Sequence, residues 1–125
     1  MADRFTLTAD GQTVPSSSQT SGIAVLDVPV NESFTLTWKR TDIVELTVDT
    51  PVTVPLPGPT PQAAVLMLKA VGGKVKATIT NADGAAQVIS FDSVLILINQ
   101  SAMITALTLT RLPAVDTFVH VFMGQ

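Results

Sequence analysis

Apolar and polar side chains alternate with a period of two along most of this chain, the signature of half-buried β-strands. Ser33 to Trp38 shows it most cleanly, with Phe34, Leu36 and Trp38 on one side and Ser33, Thr35 and Thr37 on the other. That pattern predicts Trp38 in a core. Thr41-Asp42 reads as a turn, after which Val44, Leu46 and Val48 oppose Glu45, Thr47 and Asp49. Arg4 to Ala9 alternates too, placing Phe5 and Leu7 opposite Thr6 and Thr8, and Ile23 to Val28 reads as a further strand. Between them, Asp10 to Gly22 is rich in Ser, Thr, Gln and Gly; such a stretch cannot build a core and is expected to be a linker.

Pro51 to Pro61 breaks the rhythm. Val52, Val54 and Leu56 alternate with prolines and Thr53, and proline cannot donate to a ladder. The segment therefore predicts an edge strand that gives way to an extended connection. Ala63 to Ala70 favours strand, and Gly72-Gly73 is a two-residue hairpin signal leading into Lys74 to Thr80. Asn81-Ala82-Asp83-Gly84 predicts a second turn, before a strand over Gln87 to Phe91. Val94 to Ile98 is apolar on both faces, as a central strand would be. Ile104 to Leu112 and Thr117 to Met123 complete the set. Roughly ten strands without an amphipathic helix predict an all-β chain, an antiparallel β-sandwich or jelly-roll-like domain over 23–125, preceded by a flexible N-terminal arm and linker over 1–22.

Composition sharpens this. Val, Ile and Thr supply 40 of the 125 residues, while charged residues are only 14% and mean hydropathy is +0.45. That is more apolar surface than one small domain readily hides, so self-association or docking on a larger assembly is expected. A net charge of −3 with dispersed basic residues argues against nucleic acid. There is no cysteine, so neither disulfides nor thiolate metal sites are available. The start lacks an apolar run of signal-peptide type, and the longest continuous apolar run is far short of a membrane span. The reading is a soluble protein with no membrane partner.

Candidate chemistry is sparse. His120 is the lone imidazole and alternates with Phe118 and Phe122 on one strand face, which favours a structural or interface role over catalysis. Asp27, Asn31 and Glu32 fall close together, as do Asp42 and Glu45, but neither set has the spacing of a calcium loop. Ser16-Ser17-Ser18 lies in the linker, and no Gly-x-Ser-x-Gly elbow exists. Gly72-Gly73-Lys74 lacks the remainder of a phosphate loop. No catalytic, cofactor-binding or metal residue can be named, and the expectation is a non-enzyme. Trp38 is the one platform a sugar could stack on, although the absence of tyrosine counts against that use.

The run Val48-Asp49-Thr50-Pro51-Val52-Thr53-Val54-Pro55-Leu56-Pro57 resembles a stretch of small virion proteins of tailed bacteriophages. So do Ile104-Thr105-Ala106-Leu107-Thr108-Leu109-Thr110 and the terminal Val119-His120-Val121-Phe122-Met123-Gly124. Together these cover 23 of the 125 residues, a little under a fifth of the chain. The resemblance implies a capsid decoration (cement) protein, or a head, collar or tail component. It further implies a non-enzymatic β-fold made in the host cytoplasm, oligomerisation (often trimeric), and docking on the major capsid protein or another virion protein. The partner surface is expected at Phe5, Leu7, Val52, Val54, Leu56, Phe118, His120 and Phe122. The alternative is a tail or collar module that attaches to cell-surface glycan.

Overall fold

A computed structural model describes residues 3–9, 12–13, 23–24 and 30–125. The chain divides into two compact units, one ending at Leu36 and the other running from Thr37 to Gln125. In the first, β1 (Asp3–Ala9) pairs antiparallel with β4 (Val30–Leu36) over its full length, Phe5 opposite Phe34 and Leu7 opposite Glu32. The short β2 (Gln12–Thr13) and β3 (Ile23–Ala24) pair with each other. The segment expected as a flexible arm thus begins with a strand over the Arg4 to Ala9 alternation, and that strand is partnered inside the same chain by β4. The boundary falls after Leu36 rather than after residue 22. The rest of the expected linker, residues 10–11 and 14–22, and most of the expected 23–28 strand lie outside the described residues.

The second unit holds β5 (Lys39–Leu46), β6 (Val52–Thr53), β7 (Val65–Val71), β8 (Val75–Asn81), β9 (Ala86–Phe91), β10 (Val94–Ile98), β11 (Ile104–Arg111) and β12 (Thr117–Gly124). Their pairing has one generating rule. β8 pairs with β9, β7 with β10, β6 with β11 and β5 with β12, all antiparallel, as if one long hairpin were laid down and rolled up. Rolling brings β12 beside β7 and β11 beside β8. The result is two four-stranded sheets, β10-β7-β12-β5 and β6-β11-β8-β9, with the connectivity of a jelly roll.

The core is the set of inward positions that this register selects. Val119, Val121 and Met123 of β12 point in with Leu66, Leu68 and Ala70 of β7 and Leu46 of β5. Across the gap, Leu107 and Leu109 of β11 meet Val75, Ala77 and Ile79 of β8 and Phe91 of β9. Each of these side chains is nearly or wholly buried. Because side chains alternate strictly, slipping any strand by one residue would turn this set out to water.

Four local expectations are corrected. Thr41-Asp42 lies inside β5, and the bend comes earlier, at Thr37-Trp38, where the main chain is held by Gln125. The Gln125 carbonyl accepts the Thr37 and Trp38 N–H groups at 2.8 and 3.2 Å, and its own N–H donates to the Trp38 carbonyl at 2.7 Å. Trp38 is consequently 47% exposed at a corner rather than in the core. Gly72-Gly73 does not form a hairpin, since it carries the chain from β7 in one sheet to β8 in the other. Gly72 has φ +111°, and a Cβ there would sit 2.7 Å from the Asp116 carbonyl oxygen; one on Gly73 would sit 2.7 Å from Val115 Cγ1. These glycines permit close approach to the β11–β12 connection. Lastly, β10 is an edge strand, not a central one.

The other expected turn stands where the pattern put it. Between β8 and β9, the Asn81 N–H donates to the Ala85 carbonyl and the Gly84 N–H to the Asn81 carbonyl, both at 2.9 Å, with Gly84 at φ +86°. Asp83 Oδ1 accepts the Ala85 N–H.

Candidate interaction face

The outward positions of the two sheets differ in chemistry, and that difference locates the site. On the β6-β11-β8-β9 sheet the register aligns Thr53, Thr108, Thr78 and Val88 in one row, flanked by Ala106, Thr80 and Ala86 on one side and Thr110, Lys76 and Ser90 on the other. Threonine hydroxyls suit water, and β-branching suits the strand. This is an ordinary solvated face.

The outer face of the other sheet is built differently. One row reads Ile43, His120, Lys69, Val94 across β5, β12, β7 and β10, and the next reads Thr41, Phe122, Met67, Ile96. Beyond the first row, Glu45, Phe118 and Val71 follow. Ile43 is 56% exposed and Val94 52%, with His120 and Lys69 between them, while Phe118 (42%) and Val71 (45%) are direct cross-strand partners, so exposed apolar side chains recur across this face. Thr41, Met67, Lys69, Val94, His120 and Phe122 border a depression of about 290 Å³ on this surface. Its lining is almost wholly carbon, with the Lys69 ammonium and the His120 imidazole as the polar groups that a partner would meet.

Of the residues expected at a partner surface, Phe118, His120 and Phe122 come together here. Val52, Val54 and Leu56 do not. Val54 is buried, and Val52 and Leu56 pack against the core, because their side of the edge faces the opposing sheet. They hold the sandwich together and are not displayed. Phe5 and Leu7 sit half-buried on β1 in the first unit. Ile43, Met67, Lys69, Val71, Val94 and Ile96 were missed. Their signal was the presence of apolar residues at both parities of β10 and β7, which reads equally as full burial or as an unpartnered face.

Of the candidate carboxylate sets, the one at Asp27, Asn31 and Glu32 includes Asp27, outside the described residues, and the other does not gather. Asp42 and Glu45 project from opposite faces of β5, three residues apart in a strand. Asp42 instead accepts the Ile43 N–H at 2.8 Å and Arg40 at 3.3 Å. Among the described residues no group of three His, Asp or Glu could hold a metal ion. Among the described residues Thr117 is the buried polar side chain, and it donates its hydroxyl to the Val115 carbonyl.

The tightest polar cluster lies at one end of the sandwich and is structural. Arg111, with its side chain only 10% exposed, spans Asp49 at 2.9 Å and Asp116 at 2.5 Å. Asp49 also accepts the Ala114 N–H at 3.1 Å, at the point where Ala114 takes a positive φ of 63°. The Ala114 amide, and then the Arg111 guanidinium, hold the Asp49 carboxyl below the usual carboxylate range. At another corner the Gln125 amide donates to the carbonyls of Pro57, Thr60 and Gln62, which fastens the proline-rich connection. Gly58 gives it room: at φ +92°, a Cβ would meet Gln125 Nε2 at 2.7 Å and Trp38 Cδ1 at 3.3 Å.

Comparison of the chain with protein-family models, with curated proteins and with solved structures finds no match.

Proposed function

We propose that this chain is a non-enzymatic assembly module that covers a protein surface with the outer face of its β10-β7-β12-β5 sheet, acting in a virion as a capsid decoration protein that bridges neighbouring shell subunits. The observation that carries the assembly reading is the contrast between the two outer faces, one lined by threonines and the other by Ile43, Val94, Ile96, Met67, Phe118 and Phe122. Strands about 4.8 Å apart and same-face residues about 6.8 Å apart make this face roughly 400 Å² in projection, the size of a functional patch. A stable contact wants about 800 Å² per partner, so the rim of the face would join in. The virion reading rests on the likeness of residues 48–57, 104–110 and 119–124 to small phage proteins, since a jelly roll by itself serves many functions.

The test is co-sedimentation of the full chain with purified phage shells. Phe118→Asp and Ile43→Asp should abolish binding without unfolding the protein, while Thr108→Asp on the opposite face should leave binding intact. Equal binding by all three would sink the face assignment, and no binding by the unmodified chain would sink the decoration reading. A second reading, attachment to cell-surface glycan, draws on the exposed Trp38 beside the Pro57–Gln62 connection. A glycan array on which Trp38→Ala and the unmodified chain give the same signal removes it.

A further inference from the structure

A rolled-up hairpin leaves four strands at the sheet edges, and each must be kept from pairing with other chains or be used for it. The β5 edge carries Lys39, Arg40, Asp42 and Glu45. The β6 edge is two residues long and flanked by Pro51 and Pro55. Both are blunted in the usual ways, by charge and by proline. The opposite side of the sandwich is unprotected. Its edges are β9 (Ala86–Phe91) and β10 (Val94–Ile98), joined by Asp92-Ser93, and neither strand contains a charged residue or a proline.

The free backbone groups on that side can be named. The Ala70 N–H donates to the Ser93 carbonyl and the Asn99 N–H to the Ala64 carbonyl, so odd-numbered residues of β10 bond to β7. By antiparallel alternation the N–H and C=O groups of Val94, Ile96 and Ile98 point to the open edge, where no described strand pairs with them. The same reasoning applies to β9. The Asn81 N–H to Ala85 carbonyl bond fixes the odd residues on β8 and leaves Ala86, Val88 and Ser90 pointing outward along the edge. Val88 is 63% exposed and Ile96 37%.

We propose that a second copy of this chain pairs with this side, β10 against β10 and β9 against β9, about a two-fold axis perpendicular to the sheets. The inference rests on the assembly reading above and names the copy-to-copy contact within it. Antiparallel self-pairing centred on Ile96 sets Val94 opposite the other copy's Ile98, and about six backbone hydrogen bonds form, two for each of three pairs. Centring β9 on Val88 sets Ala86 opposite Ser90. Val88 and Ile96 stand four residues before and four residues after Asp92, so one axis can pass near both. Charge permits it: self-pairing opposes each residue to its own kind or its mirror position, and with no charge on either strand no like charges meet. The β5 edge, rich in charge, would be penalised for the same act. Two strand edges about 17–20 Å long in layers about 10 Å apart present roughly 400 Å² per copy once side chains are included. That is about half the area per partner of a stable contact, and it favours a weak dimer that forms only in the micromolar range or above.

The experiment is mass in solution, by light scattering and native mass spectrometry, across about 1–200 µM, where dimers of this size assemble. The full chain should be a dimer at the upper concentrations. Ile96→Lys and, separately, Val88→Lys should shift the midpoint of dimerisation upward at least tenfold with unchanged circular dichroism. Ile96→Pro should do the same through the backbone, because its N–H serves no ladder bond to β7. Thr108→Lys, on the solvated face, should dimerise as before. A monomer throughout, a trimer, or dimers indifferent to all three edge substitutions would overturn the proposal. Shell co-sedimentation of Ile96→Lys separates the two ideas: retained shell binding with lost dimerisation supports the edge contact and leaves the outer-face reading standing. Lost shell binding by Phe118→Asp in a protein that still dimerises tests that reading alone.

Discussion

Replacing Gly72 by alanine tests why the chain crosses between sheets at this point. Two costs add. The first is conformational: φ +111° lies beyond the left-handed basin open to L-residues, and holding a non-glycine residue there costs about 1–3 kcal/mol. The second is steric, since the new Cβ would lie 2.7 Å from the Asp116 carbonyl oxygen, a main-chain atom. The Asp116 segment cannot retreat cheaply, because Arg111 ties Asp116 and Asp49 together and Asp49 holds the Ala114 N–H. Overpacking against fixed atoms adds about 1–3 kcal/mol. The sum is about 2–6 kcal/mol, and at 4–8 °C per kcal/mol for a unit of this size the melting temperature should drop by roughly 10 °C or more. Gly84 provides the control: it also has positive φ, at +86°, but a Cβ there meets nothing within 4 Å. Gly84→Ala should therefore show the conformational cost alone, about 1–2 kcal/mol. Urea unfolding of both variants, with m values compared, measures the difference. A Gly72→Ala protein no less stable than Gly84→Ala would refute the close-approach argument.

Other outcomes follow from the same packing and hydrogen bonds. Leu107→Ala removes a wholly buried side chain between the sheets and should cost about 2–5 kcal/mol in chemical denaturation; a cost below about 1 kcal/mol would mean the core is not close-packed there. Asp49 sits below its ordinary carboxylate value in the folded protein, so its stabilisation is complete above the unfolded value of 3.8 and is lost as pH falls through the lowered one. Arg111→Met should therefore be less stable than the unmodified chain at neutral pH, with the gap narrowing in acid; a gap independent of pH would contradict the assignment. Thr117→Val deletes a buried hydroxyl whose acceptor is the Val115 carbonyl, and a loss of about 1 kcal/mol in the same assay is expected.

Sequence pattern alone determined most of the strands and which side chains within each strand share a face. Alternation over Lys74 to Thr80, Ile104 to Leu112 and Thr117 to Met123 reappears as β8, β11 and β12 within a residue or two, because a half-buried strand writes its burial into a period of two. The Asn81–Gly84 turn was legible for a similarly local reason, a glycine where φ must be positive. Partnership was not legible. Val94 to Ile98 reads as buried on both sides, yet it is an edge strand with Val94 and Ile96 in solvent. Gly72-Gly73 reads as a hairpin, yet it joins two sheets. Val52, Val54 and Leu56 read as a docking edge, yet their side chains fill the core. Which strand lies beside which is fixed by how one long hairpin rolls on itself, through contacts between residues far apart in the chain. A local pattern carries no record of those contacts. The tertiary structure therefore decided what the sequence could not, namely which apolar face closes on the other sheet and which is left for a partner.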